Sequence, residues 1–292
     1  MKQVGNMMNI IKNLICFAAA AGAAFAACGD DLEAELKSAS GKLAIADTIG
    51  GEPVVKTMAL AWAAINPNLE ITIEKKSLLQ ATEEEKDKYD VVIYSRTPDD
   101  DFALEPQGEK FCYAVEPAVI YTNKNFPADN ISIQDLSRIF CGDIDSWESI
   151  TGSPYSIRRY GVVFPAAGER VFRHLVLGQL GYCDAISCSA AAYDVAVNCS
   201  GSQYAIGFGG YSSQLPEEVK TLKVDGIEPA TDTIVLGQYP LTHRRMAAVT
   251  SGNDNAKLFV RLLNTPECRE VVAQSEFVPP LVAEANVSTE TK

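Results

Sequence analysis

A chain of 292 residues with 47 % hydrophobic and 22 % charged side chains has the make-up of an ordinary globular protein, long enough for two lobes or one large α/β domain. Its 25 basic and 38 acidic residues give a net charge of −13, which argues against a polyanionic partner such as nucleic acid or an anionic membrane surface. A single small anion is not excluded, because local backbone N–H groups can outweigh a distant global charge.

Residues 1–27 differ from the rest. Lys2 and Lys12 precede an apolar run, Leu14 to Ala27, which is too short to span a bilayer and reads as a signal peptide. Loss of its two lysines would deepen the net charge to −15. The run ends Phe25-Ala26-Ala27-Cys28, close to the bacterial lipobox, so Cys28 is the expected lipidation site and anchor to a membrane. Cleavage after Ala24-Phe25-Ala26, releasing a soluble protein, is the alternative. Residues 28–40 are acidic and small and read as a tether. Beyond them lie Cys112, Cys141, Cys183, Cys188, Cys199 and Cys268, an even number that in an exported chain suggests up to three disulfides. No Cys-x-x-Cys occurs and the only histidines, His174 and His243, are distant in sequence. Neither a metal site nor a cofactor is expected.

Lys42 to Ala46 reads as a strand, followed by the turn Asp47-Thr48-Ile49-Gly50-Gly51 and by Pro53 at the first turn of a helix. Val54, Met58, Trp62 and Ile65 keep helical spacing up to Asn66-Pro67-Asn68. A second strand, Leu69 to Glu74, leads through Ser77 into a Glu- and Lys-rich helix, and a third, Tyr89 to Tyr94, ends at Ser95-Arg96. This alternation is the grammar of a parallel sheet, whose ligands sit beyond the carboxyl ends of the strands. Thr48, Ser77, Ser95 and Arg96 lie at those ends. Thr48 and Ser77 serve equally well as plain helix caps, whereas Arg96 offers a fork matched to oxyanions. Asp99-Asp100-Asp101 reads as a solvated helix start.

Tyr113 to Thr122 is strand-forming, broken only by Glu116 and Pro117. Ser132 then caps a helix carrying Leu136, Ile139 and Phe140, with Asp135 in the place of a capping-box acid and Gly142 as the stop. Another strand, Tyr160 to Phe164, runs into Pro165-Ala166-Ala167-Gly168-Glu169-Arg170 and a helix through Phe172, Leu175 and Val176. Residues 183–200 combine three cysteines with an Ala-rich helical stretch and read as a stapled segment. Tyr204 to Gly210, Gln238 to Leu241, the amphipathic Leu258 to Leu263 and Phe277-Val278-Pro279 follow, and the last ten residues, 283–292, read as a disordered tail.

Several of these phrases together resemble the phosphate-binding proteins of ABC importers, the PstS-like family. Ile139-Phe140-Cys141-Gly142-Asp143-Ile144-Asp145-Ser146-Trp147 matches its "IFxGxIxxW", and Asp90-Val91-Val92-Ile93-Tyr94-Ser95-Arg96 its "DIxxxSR". Ala205-Ile206-Gly207-Phe208, Tyr239-Pro240-Leu241 and Phe277-Val278-Pro279 are similar to its "AIGY", "YPL" and "GFVP". The resemblance runs from about residue 41 to 280. It implies an α/β, two-lobe periplasmic binding protein-like fold of type II with a hinge and central cleft, lobe I being 41–115 and 237–282 and lobe II 116–236. It implies as ligand a small oxyanion, phosphate foremost, held by Thr48, Ser77, Ser95, Arg96, Ala167, Gly168, Glu169 and Arg170. It also implies an ABC transporter permease as partner, a periplasmic or cell-surface location, and the pairing of Cys112 with Cys268 in lobe I. The family's main anion loop has Ser-Gly-Thr where this chain has Ala167-Gly168-Glu169, so the hydroxyls are gone while the backbone N–H groups remain. Arg158, Arg159 or Arg170 could supply the cation.

For catalysis, neither histidine neighbours a Ser or Cys in a recognisable motif and no GxSxG occurs, so the reading is a binder rather than an enzyme. The alternative is a structural or sensory lipoprotein of the same fold with a degenerate anion site. Glu169 reads either as a specificity element that accepts a proton from a protonated anion or as a water-facing residue of a helix first turn.

Overall fold

The computed structural model describes residues 30–97 and 104–281; the leader, Cys28, the Asp99-Asp100-Asp101 helix start and the 283–292 tail lie outside the described residues. The stretch read as a tether is a helix from its third residue on, α1 (Asp30–Ser38). Leu32 and Leu36, four residues apart and so on one face, are buried, and the Leu36 carbonyl accepts hydrogen bonds from Trp62 Nε1 at 2.9 Å and Asn66 Nδ2 at 2.8 Å. Acidity disguised an amphipathic helix.

β1 (Gly41–Asp47), α2 (Pro53–Ile65), β2 (Leu69–Lys75) and β3 (Val91–Arg96) follow as the apolar periods require. The expected helix between β2 and β3 is instead one π-helical turn, Gln80–Glu84, and a 3-10 turn, Lys86–Lys88. Too few apolar residues recur there to bury a full helix. β4 (Glu109–Pro117) and β5 (Val119–Asn123) divide the long strand-forming run at Ala118. After the short β6 (Asn130–Ile131) comes α3 (Ile133–Cys141), whose Ser132 accepts the Asp135 N–H at 3.0 Å and whose Gly142 stop has φ +94°. α4 (Glu148–Thr151), β7 (Arg158–Val162), α5 (Glu169–Phe172) with a π-helical extension Arg173–Leu177, β8 (Ile186–Ser189), α6 (Ala192–Ser200), β9 (Ala205–Gly209), β10 (Val219–Thr221), β11 (Lys223–Val224), α7 (Thr231–Val235), β12 (Thr242–Val249), α8 (Asp254–Leu263) and α9 (Pro266–Gln274) complete the order.

The strands form two five-stranded mixed sheets, β2-β1-β3-β12-β4 and β10-β5-β9-β7-β8, with β6 and β11 as a separate pair. β1 is parallel to β2 and β3, and β12 returns antiparallel between β3 and β4. The chain passes from the first sheet to the second at Ala118 and returns at Leu241. These two crossings are bonded to each other: Ala118 N–H donates to the Leu241 carbonyl at 2.9 Å, and the buried Tyr239 hydroxyl donates to the Ala118 carbonyl at 3.0 Å.

Two main cores form, one on a single face of the first sheet and one shared by its other face and the second sheet. In the first, Trp62 of α2 stacks on Phe259 of α8 at 6.2 Å over Leu43, Ile45, Val91 and Ile93. In the second, Phe172 of α5 stacks on Phe208 of β9 at 3.9 Å, and Phe140 meets both rings edge-on. That stack fixes α5 against its sheet and so decides where the polar residues beside Phe172 can point.

The six described cysteines form no disulfide with one another, which corrects the staple read from their even number. Cys112 packs with Tyr94 and Met246 in one core and Cys268 with Val91 and Phe259 in the other, on opposite faces of the first sheet. Burial instead pushes the thiols of Cys199 and Cys268 up to about 12, so both stay protonated.

Candidate functional site

The carboxyl end of β1 faces the amino end of α5 across the two sheets, and two cavities lie between them. The first is only about 10 Å³, close to the least that holds one water molecule, and is bounded by Gly50, Gly51, Glu52, Glu116, Arg170 and Arg245. Its backbone donors are already taken. The buried Asp47 carboxylate accepts the N–H groups of Ile49 and Gly50 through Oδ1, at 3.0 and 2.9 Å, and those of Gly51 and Glu52 through Oδ2, at 2.6 and 3.2 Å. From the opposite wall the Gly168 N–H donates to Glu116 Oε1, on β4 of the first sheet, at 2.9 Å. Gly168 has φ +87°, and a Cβ there would stand 2.5 Å from the Gly209 carbonyl carbon, so only glycine lets this loop approach β9.

Arg245 of β12 joins two buried carboxylates of the first-sheet side. Its Nη2 lies 2.5 Å from Glu116 Oε2 and its Nη1 3.4 Å from Glu52 Oε2, with its guanidinium 5.2 Å from the Phe277 ring centre. Burial, the largest influence, raises the pKa of Glu52 above the usual carboxylate value while Arg245 pulls it down. Arg245 itself is held charged by Glu116 and Glu52 against its burial.

The second cavity, about 390 Å³, opens beside the first and shares Arg170 with it. Thr48, Ile49, Leu78, Ser95 and His243 come from the first sheet and its loops; Arg170, Arg173, His174 and Gly178 come from α5 and its extension. Arg170 Nη2 donates to the Ile49 carbonyl across the cleft, and its guanidinium lies 5.4 Å from the Phe164 ring centre. Burial lowers the Arg170 pKa, an effect that Glu116, Glu169 and Asp47 oppose. The two histidines, remote in sequence, meet here. His174 Nδ1 lies 3.1 Å from His243 Nε2, and His243 Nδ1 lies 3.1 Å from Ser95 Oγ. Burial, with help from His174, Arg245 and Arg170, pushes the His243 pKa down to about 3, so this ring is neutral at physiological pH.

Of the residues expected at the site, Thr48, Ser95 and Arg170 line the larger cavity, although the Thr48 hydroxyl donates to the Ile93 carbonyl at 2.8 Å. Ser77 and Arg96 line neither cavity. Ser77 Oγ accepts the Gln80 N–H at 3.1 Å while its own N–H donates to Gln80 Oε1, which is the capping alternative, and Arg96 pairs with Glu105 at 3.0 Å. Ala167 is buried and Gly168 is committed to Glu116. Glu169 is 3 % exposed, so it does not face water, and it lines neither cavity: its Oε1 takes Nε of Arg173 at 2.8 Å and also Nη2. Arg159 braces the end of α3, donating to the Ile139 carbonyl at 2.6 Å. Sequence reasoning missed Asp47, Glu52, Glu116, Arg173, Arg245 and the histidine pair. The signals were Glu116 interrupting an apolar strand and, two residues apart on β12 and hence on one face, His243 and Arg245.

A family model described as the PBP superfamily domain matches residues 34–264, most of the chain. The chain belongs to the PBP superfamily. Comparison with solved structures agrees on the fold of this PBP-superfamily chain. It is similar to an ABC-type phosphate transport receptor from Vibrio cholerae, at TM-score 0.64 and 16 % identity over 82 % of this chain and 100 % of that one. It is similar to PstS from Borrelia burgdorferi, also at 0.64 and 16 %, over 82 % and 99 %. It is similar to a possible phosphate binding protein from Planctomyces limnophilus at 0.70 and 16 %, over 85 % and 96 %. No curated protein matches the chain. The α/β, periplasmic binding protein-like fold expected from the sequence, with two sheets and helices about them, is thus the one observed. Among the described residues no helix is long and apolar enough to cross a membrane.

Proposed function

We propose that the chain is an exported substrate-binding protein of PstS-like type, which carries a small oxyanion of the phosphate class to the permease of an ABC importer. The carrying observation is the larger cavity between the two sheets, with Arg170 and Arg173 on one wall and the Ser95–His243 pair on the other. Arginine forks match tetrahedral oxyanions, and a neutral histidine and a hydroxyl add hydrogen bonds without adding charge. The bonded crossings at Ala118 and Leu241 suit a hinge about which lobe I, 41–115 and 237–282, closes on lobe II, 116–236. Thr48, Ser95 and Arg170 are the ligand-binding residues we carry forward from the sequence, joined by Arg173 and the two histidines. Signal cleavage and lipidation at Cys28 would hold the protein at the cell surface or in the periplasm, and Cys28→Ala is expected to abolish metabolic lipid labelling.

A second reading, a structural or sensory lipoprotein of the same fold, is favoured by the small cavity, where Asp47 and Glu116 hold the N–H groups an anion would need. Titration calorimetry of the purified protein with phosphate, sulfate and molybdate separates the two. Saturable binding of at least one anion, weakened about 10- to 100-fold by Arg170→Met as expected for a lost charged hydrogen bond, supports the transport reading. No binding of any of the three supports the second.

A further inference from the structure

The two cavities differ in what they could admit. The backbone cradle between Gly50, Gly51 and Gly168, the natural seat for a bare tetrahedral ion, is sealed by Asp47 and Glu116 and leaves about 10 Å³. A further anion there would also meet the carboxyl groups of Glu52, Glu116 and Asp47. The open space is the 390 Å³ next door, within the range of about 300–1,000 Å³ typical of sites for small organic molecules. Arg170 and Arg173 make one edge of it cationic, and Ile49, Leu78 and Gly178 give the rest apolar wall.

The histidine pair supplies what an organic body would need. When both rings are neutral, Ser95, His243 and His174 form a chain that can run in either direction. With Ser95 donating to His243 and His243 to His174, the remaining ring nitrogen of His174, Nε2, carries a proton and donates. With the chain reversed, His174 Nε2 accepts and the Ser95 hydroxyl is freed to donate. Such a relay adapts to a hydroxyl group without any change in net charge.

Resting on the proposed oxyanion reading, the geometry points to a phosphomonoester with a small hydroxylated organic body as the ligand, its phosphoryl group on Arg170 and Arg173 and its body against Leu78, Ile49 and the Ser95–His243–His174 relay. Burial of about two methylene groups' worth of apolar surface would favour the ester over inorganic phosphate by roughly tenfold or more.

The test is calorimetric titration of the whole purified chain with glycerol 3-phosphate and with inorganic phosphate, repeated for His174→Ala and His174→Gln. The expected result is an affinity ratio of about tenfold or more in favour of the ester, falling towards unity in His174→Ala and partly restored in His174→Gln, whose amide both donates and accepts. Phosphate binding as tightly as the ester, or more tightly, overturns the ester assignment and leaves the oxyanion reading standing. A ratio untouched by His174→Ala removes the relay from the ligand site. Binding of neither compound overturns the proposal together with the reading beneath it. Should the variants fail to fold, the wild-type ratio still decides the ligand class.

Discussion

The two cavities of the cleft solve one problem in opposite ways. Around Asp47, Glu116 and Arg245 the protein's own carboxylates occupy the anion positions, and the space is closed. Around Arg170, Arg173 and the histidines, cations and neutral donors line a volume nearly forty times larger. The first region behaves as structure and the second as a receptacle. A chain of net charge −13 can therefore offer a site to an anion, because no carboxylate among the described residues lines the larger cavity, Glu169 being turned onto Arg173.

Breaking the sealed side is expected to have the largest effect, and on stability. Glu116→Ala leaves Arg245 without its close partner and the Gly168 N–H without an acceptor, and a broken buried pair costs about 3–5 kcal/mol. Urea denaturation measures it; a loss below about 1 kcal/mol would mean that the triad is not what holds the walls together.

Next comes acid sensitivity on the open side. The folded pKa of His243, about 3, lies below its ordinary value of 6.5, so the unfolded chain binds the extra proton between those limits. His243 then contributes stability above pH 6.5 that is lost progressively as pH falls towards 3. Over two pH units the loss is about 2–3 kcal/mol, and His243→Gln should flatten the stability–pH curve by that amount relative to wild type.

The smallest effect is expected from Glu52→Gln. Glutamine keeps an oxygen for the Val54 N–H and removes the carboxyl group whose pKa burial raises. A raised carboxyl pKa means that the native state holds the proton more tightly, so the wild type loses ground as pH climbs above the ordinary value of 4.5. At pH 7 the variant should be equal to wild type or up to about 1 kcal/mol more stable, whereas a large loss would show Glu52 to be a full charge partner of Arg245.

What was legible in the sequence depended on locality. Ser132, Asp135 and Gly142 are read by neighbours a few residues away, and α3 formed as they required. The phrase ending in Ser95-Arg96 likewise placed β3, and the strand-forming run Tyr113 to Thr122, broken at Glu116 and Pro117, covers the end of β4 and most of β5. Ser95, His174 and His243 gain meaning only when two sheets bring three distant segments together, and no local pattern carries that. The turn from Asp47 to Gly51 was readable as a strand-end loop suited to a ligand, but not that Asp47 itself would take its N–H groups. The disulfides failed for the opposite reason: counting cysteines ignores that Cys112 of β4 and Cys268 of α9 are buried in cores on opposite sides of one sheet.

The central claim, that ligand goes to the open side and not to the cradle, is tested most directly by where an anion sits. Crystals of the protein grown with molybdate would locate it by anomalous scattering. The account predicts one peak in the larger cavity, within hydrogen-bonding reach of Arg170 and Arg173. A peak against the N–H groups of Gly50, Gly51 or Gly168, with Asp47 or Glu116 displaced, would contradict it, as would the absence of any peak in the cleft.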